Sequence, residues 1–231
     1  MREIVLDTET TGLDPQEGHR IVEIGGVELL NHMPTGRTYH QYINPQRDMP
    51  AEAFAVHGIA EEFLADKPVF ADIATDFISF VGDAKLVIHN ASFDMKFLNA
   101  ELNWCAQATL PNDQAIDTLI IARRKFPGSP ASLDALCRRF GIDNSAREKH
   151  GALLDSEILA EVYLLLVGVR QPDLVLAEQA VATGTQTTLP QDWRPERRPV
   201  ALKSRMTDAE EAAHAAFVKD LGPNALWAKL D

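Results

Sequence analysis

Two periodicities divide most of this 231-residue chain. Residues 2–6 form a short apolar run, while 21–29 and 38–43 alternate with a period of two; all three read as strands. Asn31, Pro34 and Gly36 supply a turn between the second and third. Short connections between early strands predict an antiparallel meander. From residue 70 the spacing becomes helical and alternates with short strands. Helices are expected over 70–80, 92–102, 118–125, 132–140 and 151–167, and strands over 85–88 and 115–117. That order predicts a mixed sheet flanked by helices, an α/β domain.

The chain length suits one such domain plus an appendage, and a 45% hydrophobic content is enough for a core. Past about Gly168 the composition shifts. Pro172, Pro190, Pro195 and Pro199 and the polar run 183–188 mark a linker, so the expected division is a domain over 1–169, a flexible linker over 170–200 and a tail over 201–231. Within the tail, Thr207 and Glu210 have capping-box spacing for a helix reaching about Asp220, which Gly222-Pro223 stops. Phe217, Leu221, Leu226, Trp227 and Leu230 lie on a segment too short to bury them, which suggests a tethered peptide that orders on a partner.

Acidic residues exceed basic ones by 34 to 22, a formal charge of −12. This argues against gripping nucleic acid through a broad basic face, and leaves room for meeting a polyanion through bound cations at one acidic site. Cys105 and Cys137 are too few for a disulfide framework. No leader is expected before the first strand, and the apolar stretch 164–169, flanked by Glu161 and Arg170, is short of the roughly 18 residues of a membrane span. A cytoplasmic protein without a membrane partner is the expectation.

Asp7 and Glu9 end the first apolar run with i, i+2 spacing, which aims both at one face of a strand. Two like charges that close call for a cation, and an oxygen-only pair suits a hard divalent ion. Asp94 follows a strand ending at His89 and falls in the first turn of the next helix, with Asn90 expected to hold the turn through its side chain. His150 and Asp155 open the long helix. Five residues of helix rotate about 500°, so the two cannot share a face if both are helical. The pair works if His150 sits on the approach, freed by Gly151, while Asp155 points at the other acids. Asp7, Glu9, Asp94 and Asp155 can then hold two divalent ions (Mg²⁺ or Mn²⁺), and His150 is suited to deprotonate water. The histidines and cysteines show no zinc spacing.

Three segments carry a resemblance: D-T-E-T-T-G at 7–12, V-I-H-N-A-S-F-D at 87–94 and H-G-A-L-L-D at 150–155. They resemble the three motifs of the DEDDh 3′→5′ exonucleases. The stretches 54–59, 132–137 and 207–227 narrow the likeness to the proofreading epsilon subunits of bacterial DNA polymerase III, over nearly the whole chain. The resemblance implies a ribonuclease H-like fold with a five-stranded mixed sheet, and release of 5′-mononucleotides from a DNA 3′ end. It makes Asp7, Glu9, Asp94 and Asp155 metal ligands and His150 the general base. It brings Glu52 and His57 to the terminal nucleotide at its sugar, and Thr8 (through its backbone) and Leu13 to the terminal base, with Asp7, Glu9 and Asp155 also touching substrate. The tail is similar to the segment that docks on the polymerase III alpha subunit, and a small accessory subunit belongs to the same assembly. Gln186–Leu189 sits where the family keeps a sliding-clamp peptide. Gln191 replaces the expected aromatic there, which implies weak clamp contact. Two alternatives stay open: an RNA-trimming enzyme of the same family, to which the tail would be superfluous, and an assembly subunit with secondary nuclease chemistry, against which the intact acid set speaks.

Overall fold

The computed structural model describes residues 1–145, 149–168 and 206–221. The chain divides into two units, Met1–Leu174 and Val175–Asp231. In the first, a five-stranded sheet has the order β3-β2-β1-β4-β5, from β1 (Arg2–Thr10), β2 (Ile21–Leu30), β3 (Met33–Tyr42), β4 (Lys85–Ile88) and β5 (Ala115–Asp117). β1–β2 and β2–β3 pair antiparallel, and β1–β4 and β4–β5 pair parallel. The mixed sheet expected from the two periodicities is therefore present.

Its details differ from expectation in three places. β1 does not stop before Asp7: its ladder with β2 continues to Thr10. Its pairing with β4 ends at Val5, so Asp7 and Glu9 lie on a stretch of strand whose other side is released from the sheet. The hairpin turn is only Asn31-His32, both at positive φ (50° and 63°), the conformation that two-residue hairpins demand. Pro34 and Gly36 belong to β3, an edge strand, where a missing amide donor is tolerated. Finally, two short helices, α1 (Ala51–His57) and α2 (Glu61–Leu64), occupy a region with too few turns for a periodic signal.

The remaining helices are α3 (Phe70–Val81), α4 (Ala91–Trp104), α5 (Thr118–Lys125), α6 (Leu133–Phe140) and α7 (Ala152–Leu166). Because strand side chains alternate, β1 feeds two cores. Ile4 and Leu6 join Phe70, Phe77, Phe97 and Leu98 of α3 and α4 on one face. Val5 joins Leu159 and Tyr163 of α7 on the other. Along that second face β1 presents Glu3, Val5, Asp7 and Glu9, and α7 presents Tyr163, Leu159 and Asp155 at helical i, i+4 spacing. The Tyr163 hydroxyl donates to Glu3 at 2.6 Å at one end of this register. Leu159 against Val5 fills the middle, and Asp155 arrives over the acids at the other end.

The start of α7 is seated tightly on β2. A Cβ at Gly25 would come within 2.2–2.3 Å of the Ala152 and Leu153 backbone, so only glycine permits this approach. The Ala152 amide donates to Glu23 Oε2 (3.1 Å), and Ser156 Oγ donates to the Gly25 carbonyl (3.0 Å). No helix among the described residues is long and apolar enough to cross a membrane. Cys105 and Cys137 form no disulfide with each other.

In the second unit, α8 (Asp208–Asp220) opens with the expected capping box: Thr207 Oγ1 accepts from the Glu210 amide and the Glu210 carboxylate accepts from the Thr207 amide. Met206, Phe217 and Leu221 are exposed. The expected linker over 170–200, with the segment Gln186–Leu189, and Gly222, Pro223, Leu226, Trp227 and Leu230, lie outside the described residues.

Candidate active site

One cavity of about 640 Å³ is lined by Asp7, Thr8, Glu9, Asp94, His150 and Asp155 together. Each comes from a different local device. Asp7 and Glu9 share the α7-facing side of β1. Asp155 lies in the first turn of α7, buried by the register described above. Asp94 comes from the other helical layer, in the first turn of α4, which starts where β4 ends. Asn90 bonds through its side chain within that turn, as expected, but does not cap the helix. It sits at φ 68° and accepts from no helix amide, although its Oδ1 accepts from the Ser92 hydroxyl at 3.4 Å within the turn; the Ala91 amide donates to Asp117 Oδ2 (3.0 Å) from the end of β5. Asp117 was not singled out from the sequence, although an aspartate directly before a helix is a capping signal; its Oδ1 also accepts from the Leu119 and Ile120 amides.

His150 precedes the helix and is 48% exposed, whereas Asp155 is buried. Leaving the helix removes the angular obstacle: His150 Nδ1 lies 3.4 Å from Asp155 Oδ2. The His150 amide donates to the Val56 carbonyl of α1 at 3.3 Å, which ties this approach segment to the α1 side of the cleft. One ligand atom each from Glu9, His150 and Asp155 lies within 4.8 Å of the others.

Asp94 shows what the convergence costs. It is 3% exposed, and burial pushes its carboxyl up to about 7, against the lowering effect of the Thr8 hydroxyl, which donates to Asp94 Oδ1 at 2.7 Å. A buried carboxyl facing other acids holds its proton unless a cation replaces it. This donor set, oxygen-rich and acidic, fits hard divalent ions. Thr8 thus spends its side chain on Asp94 rather than turning it toward a ligand.

A second cavity of about 390 Å³ adjoins the first at Glu9 and is lined by Leu13, Glu52 and His57 among others. Leu13 is 82% exposed at its rim. Glu52 and His57 are on α1, in a helix rather than a polar loop. His57 Nδ1 accepts from the Ile59 amide at 3.0 Å, which puts the ring proton on Nε2. Burial pushes the His57 pKa down, with Lys149 and His150 adding to the effect and the Thr10 backbone opposing it in part. The side chain is therefore a neutral, buried donor on this cavity's wall.

Residues 4–163 match the exonuclease family. The chain is 50% identical over 224 residues to the DNA polymerase III subunit epsilon of Rickettsia felis, covering 96% of this chain and 97% of that one. It is 44% identical over 242 residues to the same subunit of Escherichia coli K12, covering 98% and 97%. Among solved structures it is similar to exonuclease X in complex with 5′-overhanging duplex DNA, with a TM-score of 0.55 and 27% identity over 72% of this chain and 91% of that one. The chain belongs to the exonuclease family, among the DNA polymerase III epsilon subunits, and is a metal-dependent 3′→5′ exonuclease.

Proposed function

We propose that the chain proofreads DNA in a replicative polymerase, cutting the last phosphodiester of a mispaired 3′ end to release a 5′-dNMP. The observation that carries this reading is the meeting of four acids from β1, α4 and α7 in one cavity, with His150 exposed at its edge. Asp7, Glu9, Asp94 and Asp155 hold two divalent ions, Mg²⁺ or Mn²⁺. When bound, such ions neutralise the phosphodiester and both its attacking and leaving oxygens. His150, outside the buried acids and open to solvent, takes the proton from the attacking water. Asp155, whose Oδ2 lies 3.4 Å from the His150 Nδ1, orients the imidazole.

In the adjoining cavity, His57 Nε2–H and the Glu52 carboxylate hold the terminal sugar, the first donating and the second accepting. Leu13 at the rim packs on the base, and the backbone at Thr8 borders it. Asp7, Glu9 and Asp155 would hold the ions beside the scissile phosphate and so border the substrate. Hydrolysis of a 3′-mismatched primer with Mg²⁺ or Mn²⁺ tests the set. Asp7→Ala and Asp155→Ala are each expected to lose activity by orders of magnitude, and undiminished activity in either would reject the two-ion site.

The tail holds the enzyme in the polymerase. The exposed Phe217 of α8 and Leu221 just after it suit anchoring on the catalytic alpha subunit, with the accessory subunit and a weak clamp contact at Gln186–Leu189 as further members of the assembly. Truncation after Val169 is expected to keep hydrolysis of free DNA and to abolish co-purification with the polymerase. Tight binding by the truncated form would remove the tail from this role.

A further inference from the structure

We infer that Arg123, on α5, grips the phosphate of the strand that is left behind, the one on the 5′ side of the penultimate nucleotide. This rests on the exonuclease reading above and extends it to a subsite. The two cavities lie on opposite sides of the β1 acids. The smaller is walled by the 10–19 segment and α1; the larger continues past the acids to His89, α5 and the start of α6. If the terminal nucleotide fills the first, the rest of the strand must leave across the second.

That exit is hostile to a polyanion unless something offsets the acids. Among the described residues lining the two cavities, Arg123 alone carries a permanent positive charge. Three other cations of the region are engaged elsewhere. Lys125 Nζ donates to the Leu166 carbonyl (2.9 Å) at the end of α7, Arg139 stacks on Phe126, and Lys149 lies over Phe54. Asp134, the acid on the same wall, accepts from Asn144 Nδ2 at 3.1 Å. Arg123 itself is exposed and has no ion-pair partner among the described residues. A guanidinium without a carboxylate partner, on the wall of a cleft for a phosphate chain, presents a planar donor fork that matches phosphate oxygens. It lies in the last turn of α5, where a basic residue also complements the helix dipole.

Dinucleotides isolate the contact. Both d(TpT) and its 5′-phosphorylated form, d(pTpT), contain one cleavable bond, and only the second carries the upstream phosphate. The wild-type full chain is expected to cleave the phosphorylated dinucleotide with a kcat/KM about 10- to 100-fold higher, the usual worth of a hydrogen bond to a charged group. In Arg123→Ala this preference should collapse toward unity, and the KM for a longer primer should rise with a shallower salt dependence. Arg123→Lys should restore part of the preference, since it keeps the charge without the fork. A preference that survives in Arg123→Ala, or a wild type that cleaves the primer but shows no preference, overturns the inference. A wild type that cleaves neither dinucleotide nor primer would overturn the exonuclease reading instead.

Discussion

His150→Ala is expected to lower kcat on a 3′-mispaired primer by about 10²–10⁴-fold, the usual contribution of a positioned general base, while divalent-ion binding persists. The geometry separates the two roles. His150 is half-exposed, lies outside α7 and is anchored through its backbone to Val56, whereas the carboxylates are held by β1, α4 and α7. Removing the imidazole therefore takes away a proton acceptor without disturbing the elements that carry the acids. The competing role is ligation, because an imidazole nitrogen lies in the same cluster as Glu9 and Asp155. Mn²⁺ titration of the variant distinguishes them. A base assignment predicts unchanged Mn²⁺ affinity with lost turnover, and a tenfold or greater loss of affinity would make His150 a ligand instead. Unchanged turnover would exclude both.

The acids were legible in the sequence because strand spacing and helix-start positions place carboxylates without any knowledge of packing. Asp7 and Glu9 share a face simply because strand side chains alternate. What brings Asp155 over them is not local. It depends on α7 lying along β1 so that Tyr163 meets Glu3 and Leu159 meets Val5, a register between residues about 150 positions apart. Gly25 illustrates the same limit: it reads as an ordinary small residue in a strand until the α7 backbone is seen against it. The Asn90 turn was only partly legible for a related reason. Local chemistry accounts for the Asn90 side-chain bond to Ser92, but not for Asp117, which β5 delivers to the Ala91 amide from 26 residues away. Helix α1 was hidden by its length, since seven residues give less than two full turns of pattern.

Asp94→Asn is expected to move stability and activity in opposite directions. The Asp94 carboxyl has an ordinary value of 3.8 and is pushed up to about 7 by burial. The metal-free folded state therefore binds this proton more tightly than the unfolded chain does. The linkage sign follows: the contribution is fully favourable below pH 3.8, declines as pH rises toward 7, and by pH 8 has become a penalty on the order of a few kcal/mol, at about 1.4 kcal/mol per unit. Asparagine keeps an oxygen to accept from the Thr8 hydroxyl and cannot ionise. Without divalent ions at pH 8, Asp94→Asn should thus melt several degrees above the wild type, and the gap should close as pH falls toward 4. Adding Mg²⁺ or Mn²⁺ reverses the order. The wild type gains stability because the ions compensate the buried charges, and the variant, one ligand short, gains much less and loses hydrolysis of the primer. Thermal melts of both proteins across pH 4–8, with EDTA and with Mn²⁺, read all of these effects in one series. A metal-free variant no more stable than the wild type at pH 8 would mean that Asp94 is not burdened by its burial. An equal Mn²⁺ shift in the two proteins would remove it from the ion site.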